Sequence, residues 1–217
     1  MKSVLLFCAI ALSLASATSI PPSKEYVGFE LGNAGASKSI EIFGDFQCPD
    51  TKSAWEGWAR AFAIKHAGNV SFVFRTFPLP FHKNGFDSGQ AALVMINHLA
   101  AKQSISRSEA FIKTADALFK SQGLFQTAAT ENMSQMEVFN TIFASIAKSI
   151  GVPSSAFLPL MGQSSAASSA LNEQVRESWR LGSKRGVAGT PTFAANGIIS
   201  DALAGYTAAD WEKWLAA

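Results

Sequence analysis

The stretch "IEIFGDFQCPDTKSAW", residues 40–55, changes its period halfway along, and that change decides the fold. Ile40 and Ile42 alternate with polar neighbours and then give way to aromatic residues, which suits a buried strand over 39–46. From Pro49 the spacing turns helical. Trp55, Trp58 and Phe62 fall on one face at i, i+3 and i+7, with Ala54 and Ala61 beside them. Pro49 stands in the first helical turn, where its missing N–H would have had no partner in any case. Downstream, "VSFVFRTF" (70–77) is rich in β-branched and aromatic residues and is stopped by "PLP". Strand, helix, strand at these lengths is a βαβ unit.

Outward from that unit, residues 18–38 are rich in Pro, Gly, Ser and Ala and read as an irregular lead-in. About residues 85–182 carry helical periodicity and few strand signals, in "AALVMINHLAA", "SEAFIKTADALFKSQ", "EVFNTIFASIAKSIG" and "SALNEQVRESWRLG". The serines of "GQSSAASSA" suit a helix start with serine caps. The end returns to β: "TPTFAANGIIS" places two short apolar runs around Asn196-Gly197, a type I′ hairpin signal. Thr207 and Asp210 then have capping-box spacing ahead of an apolar face of Trp211, Trp214 and Leu215. The order βαβ, helices, ββα predicts an α/β sheet protein interrupted by an all-helical insertion.

The first residues read as a secretory signal: Lys2, the apolar run "VLLFCAIALSLA", and Ala15-Ser16-Ala17 as a cleavage site. Residues 1–17 are expected to leave and 18–217 to form one domain. The apolar run is too short to span a bilayer, and no later run is long enough. The net charge of +2 falls to +1 without Lys2, which gives no electrostatic case for nucleic acid or an anionic membrane. Of the two cysteines, Cys8 leaves with the signal. A disulfide-stapled scaffold is thereby excluded, and Cys48 is expected as a free reactive thiol or as one half of an intermolecular pair.

A helix start stabilises a thiolate through its dipole and unpaired N–H groups, and Cys48 stands at or just before one. Asp50 opposes that effect and Lys52 favours it, while Thr51, one turn along, has a hydroxyl within reach of the sulfur. Thr190-Pro191, directly before a strand, suggests a cis-proline. Folded back, Pro191 would lie against Cys48, and Thr190 could present its backbone to an extended substrate. His66, His82 and His98 lack metal-ligand spacing with one another or with Cys48, so no metal is expected. His82 follows a strand end, a position from which it could approach the site, and reads rather as a solvated loop histidine. No Gly-rich phosphate loop and no G-x-S-x-G element occurs.

Taken together, "IEIFGDFQCPDT", "FVFRTFPLPFH", "ALFKSQGLF", "AKSIGV" and "GVAGTPTFAANG" resemble the DsbA-like branch of the thioredoxin superfamily over nearly the whole mature chain. The resemblance implies a thioredoxin fold with a helical insertion. It makes Cys48 and Thr51 the catalytic residues, with Pro49, Asp50, Thr190 and Pro191, the cis-proline, as substrate contacts. The family's second cysteine falls on Thr51, so a self-contained dithiol cycle is excluded. What the resemblance then implies is monothiol exchange or isomerisation on protein or peptide disulfides. There is no bound cofactor in this scheme, and glutathione is a co-substrate. The alternative is a redox-inactive peptide-binding or chaperone-like module on the same fold, and a covalent homodimer through Cys48 is a third. The expected compartment is the secretory lumen, the periplasm or the outside of the cell.

Overall fold

The computed structural model describes residues 28–217; the expected signal at 1–17 and the first part of the lead-in lie outside the described residues. β2 (Lys38–Gly44) and β3 (Val70–Thr76) run parallel, with Ile40 opposite Phe72 and Gly44 opposite Thr76. Between them, bounded by turns at both ends, lie α1 (Pro49–Ala54), a π-helical turn (Trp55–Ala59) and α2 (Arg60–Lys65). β4 (Thr192–Ala195) lies antiparallel to β2 on its other side and pairs in turn with β5 (Ile198–Ile199). The hairpin turn places Asn196 and Gly197 both at positive φ (48° and 80°), the backbone a type I′ turn requires.

One strand departs from expectation. β1 (Phe29–Gly32) lies inside the segment read as an irregular lead-in and pairs antiparallel with β3, giving the order β1-β3-β2-β4-β5. Phe29 and Leu31 are buried and their neighbours exposed, so the period of two is present. It is only four residues long and lies among glycines, which hides it.

Between β3 and β4 come α3 (Gly85–Lys102), α4 (Arg107–Lys120), α5 (Gln135–Glu137), α6 (Ala144–Ser149), α7 (Ser154–Phe157) and α8 (Ala166–Lys184); α9 (Ala208–Ala216) follows β5. Ser165 caps α8 and Thr207 caps α9, each in a reciprocal capping box. The two faces of β2 serve two cores, as the pleat demands. Ile40 and Ile42 pack with Trp55, Phe74, Phe193 and Trp211, whereas Phe43 joins Phe77, Leu79 and Val187 under Trp179 of α8. Among the described residues no single helix is long and apolar enough to cross a membrane.

A buried carboxylate in α3 carries a pH-dependent cost. Asp87 is 8% exposed, and burial pushes its carboxyl up to about 6, partly offset by Gln135 Nε2, which donates to it at 2.9 Å. The folded value lies above the unfolded one, so the folded state binds the extra proton. Stability therefore falls as pH rises from about 4 through about 6. Asp87→Asn keeps the acceptor for Gln135 and removes the charge. We expect it to stabilise the fold by about 1–3 kcal/mol at pH near 8 and hardly at all near pH 4, measured by urea unfolding at the two pH values.

Candidate active site

The C-terminal end of β2 is closely packed. A Cβ on Gly44 would stand 2.6 Å from the Phe74 ring and 2.8 Å from the Thr51 methyl, so only glycine lets the chain leave the strand here. Asp45 to Cys48 then form a turn closed by Cys48 N–H donating to the Asp45 carbonyl (3.0 Å). Cys48 is the N-cap of α1, with extended backbone angles, and its carbonyl accepts the Lys52 N–H at 3.1 Å. Pro49 occupies the first helical position, as the sequence predicts.

The turn is tied to the helical segment by side-chain amides. Gln122 Nε2 donates to the carbonyls of Phe46 and Cys48, both at 2.9 Å. Gln47 donates to Thr127 Oγ1 and accepts the Asn84 N–H, while Gln126 holds the Gln47 carbonyl. Each bond satisfies a backbone or amide group that would otherwise be buried without a partner.

Across the sheet, Phe43 of β2 pairs with Thr192 at the start of β4, and this register carries Thr190 and Pro191 to Cys48. The Thr190–Pro191 peptide bond is cis. Cys48 Sγ donates to the Thr190 carbonyl at 3.3 Å, and Cys48 is only 4% exposed. This bond needs the proton on sulfur, so the thiol makes it and the thiolate loses it. Beyond Thr190 opens a cavity of ≈ 350 Å³ lined by Gly189, Thr190, Pro191, Phe193, Ile199 and Asp201.

Thr51 and Lys52 are bonded elsewhere than to the sulfur. Thr51 is 1% exposed, and its hydroxyl accepts the Asp45 N–H (3.3 Å) instead of reaching the sulfur. Lys52 is turned to Glu56, one helical turn on, at 3.9 Å. Pro49 and Asp50 are exposed at the rim.

Two residues escaped the sequence reading altogether or in part. Asp45 is fully buried and accepts hydrogen bonds from Gln47 N–H, Leu79 N–H and His82 Nδ1. His82 is therefore not a solvated loop residue: its side chain is 13% exposed and paired with Asp45 at 2.7 Å. The only signal was an acid set between two phenylalanines at a strand end. Among the described residues no group of three or more His, Cys, Asp or Glu side chains could hold a metal.

A central sheet with β2–α–β3 on one side and β4–β5–α9 on the other, and a cysteine helix start facing a Thr-Pro step, defines a thioredoxin-type fold. The family model described as thioredoxin matches residues 26–217, and the chain belongs to that family. Solved structures of similar fold include a putative protein-disulfide isomerase from Pseudomonas syringae (17% identity, 87% of this chain and 97% of that one, TM-score 0.65). The thiol-disulfide exchange protein alpha-DsbA2 from Wolbachia pipientis is 16% identical over 88% of this chain and 87% of its own, with TM-score 0.62. Oxidised BdbD from Bacillus subtilis is 17% identical over 87% and 91%, with TM-score 0.55. No curated protein matches the chain.

Proposed function

We propose that this protein is a monothiol thiol-disulfide exchange protein of the secretory lumen, periplasm or cell exterior, acting on protein or peptide disulfides through Cys48. The observation that carries the reading is the placement of one thiol at the N-cap of α1, 3.3 Å from the Thr190 carbonyl. The descriptions of the similar structures, a disulfide isomerase and a thiol-disulfide exchange protein, support the same chemistry. The compartment rests on the signal expected at 1–17.

Cys48 gives up its proton, attacks one sulfur of a substrate disulfide and forms a mixed disulfide, and the other sulfur leaves as a thiolate. The attack breaks the bond to Thr190, which frees that carbonyl for an extended substrate segment. Thr190 and Pro191 on one side, and Pro49 and Asp50 at the rim, are then the substrate contacts. Thr51 offers no second thiol, so release needs a second substrate thiol or glutathione as co-substrate. No bound cofactor enters this scheme.

The second reading, a redox-silent peptide binder, draws on the burial of the thiol and its occupied hydrogen bond. That burial also disfavours a covalent dimer through Cys48, because two such sulfurs would have to meet. Thr51→Cys separates the schemes. Wild type loaded with a single-cysteine peptide as its mixed disulfide is expected to hold it until glutathione is added, whereas Thr51→Cys sheds it without any added thiol. Release by wild type at the same rate in the absence of thiol would contradict the monothiol cycle.

A further inference from the structure

The cavity beyond Thr190 is walled by three pieces of chain. These are the loop from Gly186 to Pro191 that follows α8, the first residues of β4, and the 3₁₀ turn Asp201–Gly205 that follows β5. Ala188, Gly189 and Ala204 are small and leave it open, while Phe193 and Ile199 give it apolar walls. Of the described residues that line it, Asp201 alone is charged.

Asp201 is exposed, and its carboxylate makes no hydrogen bond or ion pair among the described residues. Glu41, Asp45, Asp87 and Asp116 are all bonded, so a free carboxylate is unusual in this molecule. No Lys or Arg lines the cavity to neutralise it. Arg185, just ahead of the lining loop, is held by Glu41 and the Gly197 carbonyl, and Lys52 of the helix start is turned to Glu56. At that helix start Asp50 is a second exposed carboxylate without a partner. An apolar cavity with one unpaired acid at its wall complements a long side chain that ends in a cation.

We infer that this cavity selects substrates carrying a Lys or Arg within two residues of the reacting cysteine, with Asp201 as the specificity-determining residue. The inference rests on the exchange through Cys48 proposed above, and it names the substrate class of that site. Thr190 belongs to both places: its carbonyl lies 3.3 Å from the Cys48 sulfur, and the residue lines the cavity. A round cavity of ≈ 350 Å³ is roughly 9 Å across, room for one side chain of a peptide segment. A segment laid along Thr190 in extended form advances about 3.3 Å per residue, so a neighbour within two positions starts within about 7 Å of the cysteine. The carbon stem of Lys or Arg then covers Pro191, Phe193 and Ile199 while its head meets Asp201. A neutral side chain gains the apolar contact alone, and an acidic one is repelled.

The test uses the full chain and single-cysteine peptides whose cysteine is the mixed disulfide with thionitrobenzoate. Lys, norleucine or Glu is placed in turn at each of the two positions on either side of that cysteine. The Cys48 thiolate attacks the peptide sulfur, the bond to thionitrobenzoate breaks, and thionitrobenzoate leaves as a coloured thiolate. One disulfide replaces another with no net oxidation. Absorbance gives the loading rate, and intact mass shows the peptide on Cys48.

At one position at least, we expect wild type to load the Lys peptide about threefold to tenfold faster than the norleucine peptide, as suits a partly exposed, charge-assisted contact, with the Glu peptide slowest. A lysine beside a disulfide attracts any thiolate, so mercaptoethanol supplies the reference ratio for each peptide pair. In Asp201→Asn the ratio should fall to that reference, and in Asp201→Lys the Glu peptide should overtake the Lys peptide. Asp201 is bonded to nothing, so neither change removes a contact of the fold. A wild-type ratio equal to the reference at every position, or one that both variants retain, would overturn the inference. Failure of the exchange reading looks different: wild type would then release thionitrobenzoate from every peptide no faster than Cys48→Ser, and the inference would fall with it.

Discussion

Cys48→Ser is expected to bring glutathione-dependent disulfide exchange down to the rate of the buffer control while leaving the fold intact. A hydroxyl is no nucleophile toward disulfide sulfur at neutral pH and forms no mixed disulfide, so nothing of the cycle survives. Stability should change little. The serine hydroxyl replaces one donor to the Thr190 carbonyl with another, and such a bond is worth about 0.5–1.5 kcal/mol net. Activity and the urea midpoint are measured on the same preparation. A variant retaining the wild-type rate would show that the activity does not pass through Cys48. A variant that does not fold would show that the thiol's role is packing.

The largest stability effect should come from Glu41. This residue of β2 is 6% exposed and binds Arg75 of β3 and Arg185, which follows α8, and Arg185 also donates to the Gly197 carbonyl in the hairpin turn. One carboxylate thus joins two strands, a helix end and a turn. Glu41→Ala leaves two guanidinium groups with side chains only 17% and 24% exposed and their shared anion gone. We expect a loss of about 2–4 kcal/mol, somewhat below the roughly 3–5 kcal/mol of a fully buried pair because both arginines keep some water. Arg185 retains its stacking over the Phe43 ring at 5.0 Å. The effect depends on pH in a stated direction. Burial raises the Glu41 carboxyl, but Arg185 and Arg75 outweigh it and hold the net value below the ordinary one. That stability is present above the unfolded value and lost as pH falls through the folded one. The gap between wild type and Glu41→Ala should therefore narrow below about pH 4, as read from urea midpoints. A gap unchanged by acid would mean that Glu41 acts through packing alone.

The parts of this molecule that the sequence made plain are those with a local cause. Ile40 and Ile42 announce their strand by alternation, Pro49 its helix start, and Asn196-Gly197 its turn. Thr207 and Asp210 announce their capping box, and each feature stands where expected. What stayed hidden depends on partners far along the chain. β1 is held by pairing with β3, about 40 positions away, and four residues among glycines carry too short a pattern to see. The π-helical turns at Trp55–Ala59 and Val138–Phe143 lie in segments of unbroken helical periodicity. At the site, Cys48 and Thr190 were legible because each sits in a short pattern with a backbone role. Asp45 and His82 were not, because a lone acid and a lone histidine 37 positions apart look like surface residues until the β2–β3 register brings them together. Sequence distance alone puts the Thr51 hydroxyl within reach of the sulfur, whereas the backbone N–H of Asp45 is the partner the turn provides.

The most direct test of the account is the mass of the intact native protein after incubation with oxidised glutathione, and again after reduced glutathione is added. The account predicts one glutathione attached at Cys48 and its removal by the added thiol. A native thiol that stays unmodified, while the same thiol in urea is readily labelled, would contradict exchange through Cys48 and leave the peptide-binding module.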